Sequence, residues 1–353
     1  MPKMIEGALD RLREIPHLDW GHYPTPLEEL PRLRASIGTS CPHLLIKRDD
    51  LTGPGFGGNK VRKLEYLFAR AIADDAEVAI TVGGEKSNHA RITAALAARL
   101  GIRAILVLNS AAPDDSENQW TPASLALDRL FGAEVHLVKT REERLPTMQA
   151  IARELRSQGR RVIEIPLGAS VPLGALGYVR AAQELAAQLA ARSVSLDYIF
   201  HASSSGGTQA GLQVGCQLAG IDAQIIGVSP DDPSGTIAAE VRTIMRGLAE
   251  MLGLSNDSLK DDVTVIDDFI GPGYGLASAE SDAALSLLAR TEGVVLDPVY
   301  TAKAMTALLA WISESRLSKR DTVLFWHTGG QMALFYTEKS KGKRQKAKGK
   351  NEE

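Results

Sequence analysis

Cysteine is nearly missing: Cys41 and Cys216 are the only two in 353 residues, and neither stands in a metal-ligand spacing. That excludes a disulfide framework and a thiolate metal site, and it points to a reducing compartment, the cytoplasm. Charge of one sign is missing too. The 40 Lys and Arg residues are matched by 43 Asp and Glu, a formal net charge of −3, so no bulk field favours nucleic acid or an anionic membrane. Long apolar runs are absent as well. Nothing approaches the ~18 residues of a membrane span, and the N-terminal "MPKMIEGALDRLREIPHLDW" lacks the apolar stretch of a signal peptide. A soluble protein is expected, with no membrane, nucleic-acid or metal partner. Two nucleotide signatures are also lacking. No G-x-G-x-x-G follows a strand segment, and "GFGGNKVRKLEYLFARA" at 55–71 has neither the glycine spacing nor the trailing Ser/Thr of a P-loop. Lys60, at the end of "GGNK", needs another explanation.

What is present begins with size. A chain of 37.9 kDa with 44% hydrophobic residues can bury a sizeable core, and at roughly 150 residues per domain it holds about two domains. Short β-rich runs, among them "LLIKRDD", "EVAITV", "RAILVLN", "AEVHLVK", "RVIEIP", "DYIFHA", "QIIGVSP", "DDVTVID" and "TVLFWHT", alternate with Ala/Leu-rich helical segments. Continuous apolar strands in that alternation predict an α/β protein with two doubly wound domains and mostly parallel sheets. Residues 60–172 read as a small inserted α/β domain, and 1–59 with 173–337 as a larger cofactor-binding one. The run "NSAAPDDSENQWTP" at 109–122 reads as a surface loop or lid. Residues 338–353 carry "KSKGKRQKAKGKNEE", a basic tail without large apolar residues that is expected to be disordered.

Four turn segments follow strands: "GGEKSNHAR" at 83–91, "SSSGGTQAG" at 203–211, "GPGYG" at 271–275 and "HTGG" at 327–330. A site between the domains, at the carboxyl ends of strands, would use them. Ser203, Ser204, Ser205, Gly206, Gly207 and Thr208 run from a strand into a helix, where small residues and the helix start suit a phosphate. A bare Gly/Ser turn is the alternative at that segment taken alone. A phosphate without a nucleotide, together with a lysine at a helix start, suggests pyridoxal 5'-phosphate, an aldehyde that needs an amine partner. Lys60 is then the Schiff-base lysine, with burial lowering its pKa.

The segments "PTPLEELPRL", "KRDDLTGPGFGGNKVRKLEYL", "GGEKSNHAR", "SSSGGTQAGL", "GPGYG", "LDPVYTAKAM" and "FWHTGG" resemble the D-cysteine desulfhydrase and 1-aminocyclopropane-1-carboxylate deaminase family. The resemblance spans about residues 20–335 and implies the tryptophan-synthase-β-like (fold type II) architecture, a homodimer and a small amino-acid substrate. It further implies that Lys60 binds the cofactor covalently, that Asn88 meets its ring hydroxyl and that the 203–208 loop holds its phosphate. Thr328 would lie beside the pyridine nitrogen. Ser87 would contact the substrate carboxylate, with Lys86, Asn88 and His89 nearby, and Tyr274 and Tyr300 would flank the reacting carbon. A structural histidine is an equal reading of His89, and half-buried packing is the plainer reading of either tyrosine taken alone.

Two positions depart from the pattern. Thr301 follows Tyr300 where the deaminase branch has a glutamate, which favours β-elimination of sulfur over cyclopropane opening. Lys86 replaces the usual glutamine, so it either adds charge for a carboxylate or a sulfonate, or pairs with Glu85. The expected activity is a carbon–sulfur lyase of the D-cysteine desulfhydrase type, yielding pyruvate, ammonia and sulfide. The alternatives are a cysteate sulfo-lyase, a cyclopropane deaminase and a non-catalytic binder.

Overall fold

In the computed structural model, residues 2–110 and 120–338 are described. The strands are β1 (Leu27–Glu29), β2 (His43–Arg48), β3 (Val78–Gly84), β4 (Arg103–Asn109), β5 (Trp120–Pro122), β6 (Glu134–Val138), β7 (Val162–Ile165), β8 (Tyr198–Ala202), β9 (Gln224–Val228), β10 (Thr264–Ile266), β11 (Thr322–His327) and β12 (Tyr336–Glu338). The helices are α1 (Pro2–Glu14), α2 (Pro31–Ile37), α3 (Lys60–Ala73), α4 (Asn88–Leu100), α5 (Ala123–Leu130), α6 (Arg144–Ser157), α7 (Pro172–Arg192), α8 (Gly207–Ala219), α9 (Ser234–Leu252), α10 (Ala279–Glu292) and α11 (Thr301–Ser313).

Two main sheets carry the fold. The larger runs β1-β2-β11-β8-β9-β10, parallel except for the β1–β2 pair, and the smaller runs β6-β4-β3-β7 and is parallel throughout. Every apolar run singled out from the sequence forms one of these strands. The three strands not expected, β1, β5 and β12, are three residues each, too short for a period-two pattern to register. β5 pairs antiparallel with β12. Residues 111–119 of the expected lid, and the tail beyond Glu338, lie outside the described residues.

Alternation along each strand explains why the large sheet is covered on both faces. Leu44, Ile46, Phe200, Ile226 and Phe325 face one core, with Trp311 of α11. Their neighbours Leu45, Ile199, Ile225, Leu324 and Trp326 face another, under α7 and α8. A strand buried on both sides has no room for polar alternation, hence the continuous apolar runs. The small sheet does likewise, with Val78, Ile80 and Val82 towards α6 and Ala79 towards α3 and α4.

One buried network ties α3 to the large sheet. Asp49, just past β2, accepts hydrogen bonds from Arg62 of α3 (2.8 and 2.9 Å), Tyr178 of α7 (2.6 Å), Trp326 of β11 (2.8 Å) and Thr25 (2.9 Å). Glu184 of α7 pairs with Arg62 and with the buried Lys47 of β2. The helix that begins with Lys60 is therefore anchored to three separate elements. Among the described residues no helix is long and apolar enough to cross a membrane.

Candidate active site

The carboxyl ends of β3, β8 and β11 open into one cleft between the sheets, lined by residues that include Lys60, Ser87, Asn88, His89, Ser203, Ser204, Ser205, Gly206, Thr208, Tyr274, Tyr300 and Thr328. Segments more than 260 residues apart in sequence thus share one wall. Gly58 makes the approach possible. Its φ is +123°, which an L side chain rarely adopts, and a Cβ there would lie 2.3 Å from Asn88 Nδ2 and 3.1 Å from the Thr328 carbonyl.

Lys60 starts α3. Burial pulls its amine down to about 8, with a hydrogen bond to Lys63 working the other way. Lys63, one turn on, is fully buried, and its Nζ donates to Ser170 Oγ (3.1 Å) and the Gly168 carbonyl (3.3 Å). Burial and the Lys60 charge hold Lys63 well below the usual lysine range. Ser170 Oγ also lies 2.7 Å from Ser205 Oγ and accepts the Gly207 N–H at 3.2 Å. Asn59 Nδ2 donates to Thr208 Oγ1 at 3.0 Å. Two amines, Lys60 half-buried and Lys63 fully buried, neither with a carboxylate partner among the described residues, therefore meet a Ser/Gly loop at the head of α8, where Ser203 Oγ is buried without a partner. Such a set matches a dianionic phosphate next to a reactive carbonyl, since it supplies positive charge, free donors and one amine inclined to be neutral. Pyridoxal phosphate fits these residues.

The N-terminus of α4 forms a second donor site. Ser87 is its N-cap, accepting the Ala90 N–H at 3.2 Å, so the hydroxyl proton stays free to donate into the cleft. Asn88 Oδ1 accepts from Arg91 one turn on, which turns the Asn88 amide N–H groups towards Gly58. His89 Nε2 lies 2.7 Å from Thr81 Oγ1, whose proton goes to the Ile165 carbonyl. Nε2 must therefore carry the ring proton, leaving Nδ1 an unpartnered acceptor. Burial first, then Lys60 and Lys63, hold His89 well below its ordinary pKa, so it is neutral.

Tyr274 Oη and Tyr300 Oη are 2.5 Å apart, and the rings meet edge to face at 5.9 Å. Burial pushes Tyr274 up to about 12 and Tyr300 well above its normal value, so both are neutral hydroxyls that share one hydrogen bond and leave one O–H to donate elsewhere. The Tyr300 turn is set by buried Asp297, whose carboxylate accepts the backbone N–H groups of Val299, Tyr300 and Thr301 at 2.9 Å each and the Thr301 hydroxyl at 2.6 Å.

Three residues named from the sequence, Thr301, Lys86 and Gly207, lie apart from the lining. Thr301 is fully buried on Asp297, and its hydroxyl serves that turn. Lys86 reaches the Gly275 carbonyl at 3.4 Å, while Glu85 accepts from Ser110 at 2.6 Å. Gly207 stands behind the lining, its backbone held by Ser170. Sequence reasoning passed over Lys63, Arg141, Arg144 and Asp231. Lys63 was visible as a lysine one helical turn after Lys60, on the same face. Arg141 and Arg144 follow the strand "AEVHLVK" at its carboxyl end, the position from which the other cleft loops were drawn.

A doubly wound α/β scaffold with an anion cradle, a half-buried reactive amine and a donor pocket at a helix start defines a cofactor-dependent enzyme acting on a small carboxylate. The chain belongs to the pyridoxal-phosphate-dependent enzyme family, whose model matches residues 19–329. It is similar to the D-cysteine desulfhydrase of Yersinia pestis (strain Pestoides F), with 40% identity over 92% of this chain and 97% of the relative. The D-cysteine desulfhydrase of Klebsiella pneumoniae (strain 342) is 39% identical over 93% and 98%. Among solved structures, an ACC deaminase homologue superposes with a TM-score of 0.84 at 35% identity, covering 93% of this chain and 96% of that one. Threonine deaminase isoform 2 from Solanum lycopersicum, at 17% identity and a TM-score of 0.64 over 92% and 89%, shares the fold.

Proposed function

We propose that this enzyme is a D-cysteine desulfhydrase-like lyase that eliminates a sulfur leaving group from a small amino acid. Cysteine and water become pyruvate, ammonia and hydrogen sulfide. The observation that carries the reading is a half-buried amine, Lys60, held towards its neutral form in the cleft wall shared with two neutral tyrosine hydroxyls. The similarity to desulfhydrases over nearly the whole chain supports it.

When bound, pyridoxal phosphate supplies the electron sink that weakens the bonds at the substrate α-carbon. Lys63, Ser203–Thr208 and the start of α8 would hold its phosphate, Asn88 its ring hydroxyl and Thr328 the side of its pyridine nitrogen. Thr328 is a neutral hydroxyl, so it would not hold that nitrogen protonated as a carboxylate would. The free hydroxyl proton of Ser87 and the first N–H groups of α4 would bind the substrate carboxylate, and the helix dipole adds to them. Lys60 Nζ would take the α-proton, for which an amine whose pKa is lowered to about 8 is suited. The outward O–H of the Tyr274–Tyr300 pair would donate to the departing sulfur, and the bare Nδ1 of His89 would accept a hydrogen bond from the bound amine system.

In this reading residues 60–172 form the smaller unit, with 1–59 and 173–337 the larger; the containment of β3, β4, β6 and β7 within 78–165 supports that division. A homodimer in the cytoplasm is part of the same proposal, the latter supported by two free, buried cysteines.

The test is a product panel. Purified holoenzyme with D-cysteine, L-cysteine and 1-aminocyclopropane-1-carboxylate should give pyruvate and sulfide from a cysteine. Absence of any keto acid from both cysteines, or dominant 2-oxobutanoate from the cyclopropane, would overturn it. Lys60→Ala should lose more than the 10²–10⁴-fold typical of one acid–base group, because the residue also carries the cofactor.

A further inference from the structure

The turn between β6 and α6 puts two arginines on the cleft wall. Arg141 and Arg144 both line the cavity, although nothing in the elimination described above uses them. Their surroundings differ. Arg141 forks onto Asp232 at 3.2 and 3.3 Å and lies 3.5 Å from Asp231, which also accepts from Ser204 Oγ at 3.3 Å. Asp231 and Asp232 are thereby paired, and Glu142 is the remaining carboxylate whose charge reaches Arg144. Arg144, the first residue of α6, donates through Nε to the Arg141 carbonyl at 3.0 Å and forms no ion pair among the described residues.

That one bond holds Nε and leaves the two terminal nitrogens without a hydrogen bond among the described residues, on a side chain that lines the cleft. The guanidinium is half-buried and lies within electrostatic reach of both Tyr274 and Tyr300. Burial and the neighbouring Arg141 charge lower its pKa, the condition an incoming anion would relieve. The start of α6 adds its partial positive charge on the same side.

The substrate carboxylate already has a place at the opposite helix start, Ser87 and Asn88. A second fixed cation beside the tyrosine pair therefore faces the substrate's side chain. Lys86 does not fill this role, since its ammonium is directed to the Gly275 carbonyl.

We propose that Arg144, oriented by Arg141, is a subsite for an anionic group on the β-carbon of the substrate, so that the enzyme takes doubly anionic amino acids, a β-sulfonate among them, in preference to the neutral thiol. This rests on the elimination chemistry under Proposed function. For a β-sulfonate, the Cα–H and Cβ–S bonds break and the Cα–Cβ double bond forms. The electron pair of the Cβ–S bond leaves with sulfur as sulfite, and one water hydrolyses the enamine to pyruvate and ammonium. No oxidant or reductant is required.

Binding is tested first, with holoenzyme and two unreactive probes, 3-sulfopropanoate and butanoate, by displacement calorimetry. The sulfonate should bind about tenfold tighter or more, as a charge-assisted bidentate contact would give, and the difference should shrink with added salt. Arg144→Gln should abolish the preference and Arg144→Lys should keep part of it. Arg153→Gln, on the exposed face of the same helix, should leave it intact. Equal binding of the two probes by the native enzyme, or a preference that survives Arg144→Gln, overturns the subsite. Kinetically, the ratio of kcat/KM for cysteate to that for cysteine should fall about tenfold or more in Arg144→Gln, with sulfite as the second product. If neither amino acid is turned over but the probe preference holds and needs Arg144, the lyase reading fails and the subsite stands. If cysteine is turned over and the probes bind alike, the subsite fails alone.

Discussion

Lys60 and Lys63 lie one helical turn apart in the same buried pocket, yet the site asks opposite things of them. Lys60 must be an amine to react, whereas Lys63 must become an ammonium once an anion arrives. Burial brings Lys60 to about 8, so the reactive fraction grows as pH rises through that value and falls below it. Cofactor capture by cofactor-free protein, followed by stopped-flow absorbance, should accelerate from pH 7 to pH 9, and a rate flat over that range would contradict the assignment. Lys63 is a buried amine with no carboxylate partner among the described residues, held by Ser170, the Gly168 carbonyl and Lys60. Lys63→Met should therefore raise the thermal midpoint of the cofactor-free protein while weakening cofactor binding about tenfold or more, as loss of a charge-assisted contact would. Scanning calorimetry and a cofactor titration give the two signs; loss of both properties together would make Lys63 a packing residue.

At the scale of elements, the placement of α3 decides whether Lys60 points into the cleft, and Asp49 is what places α3. Burial alone would raise the Asp49 pKa, but Arg62 and the other donors overrule it and hold it at about 2. Folded Asp49 thus binds its proton less readily than the unfolded chain does. Its stabilisation is fully present above the unfolded value near 4 and is lost as pH falls from about 4 to about 2, a loss on the order of 2 kcal/mol. Denaturant titrations at pH 5 and pH 3 should differ by about 1 kcal/mol from this group, roughly half of the full loss. Asp49→Asn should destabilise by about 3 kcal/mol, because Arg62 would keep Glu184 but lose its other counter-charge, and it should flatten that acid limb. An unchanged acid limb in Asp49→Asn would remove Asp49 from the account.

For the whole molecule, the two sheets make one cleft, and the turns behind it expose apolar side chains. Leu51 and Phe56 follow β2, and Phe335 follows β11; all three are well exposed, and Gln331 bonds Asp50 across the same turns at 3.1 Å. Exposed apolar groups on adjoining turns suit the proposed homodimer. Sedimentation equilibrium should return twice the 37.9 kDa chain mass, and a monomer at micromolar concentration would dismiss the dimer.

The sequence by itself determined the α/β class, the strands of both main sheets except the three-residue β1, and the turn segments that meet at the cleft; the short β5–β12 pair escaped it. Each of those signals is local. Apolar continuity marks a strand covered on both faces, and small residues after a strand mark a turn into a helix. Lys60 and the 203–208 loop were legible for that reason, whereas Asn88 was named only through the family resemblance that its motif carries. What the tertiary structure alone decided are directions and pairings across long stretches of chain. Thr301 looked like a group facing the site, but Asp297 captures its hydroxyl. Lys86 stands in the right motif, yet its long stem carries the ammonium to the Gly275 loop, 189 residues away. Arg144 carried no motif at all. It matters because the β6–α6 turn of the small sheet comes to rest against the Asp231–Asp232 loop of the large one, where Arg141 pairs with both carboxylates and Arg144 makes no ion pair among the described residues. Charge balance of that kind is a property of three-dimensional neighbours, and no spacing along the chain encodes it.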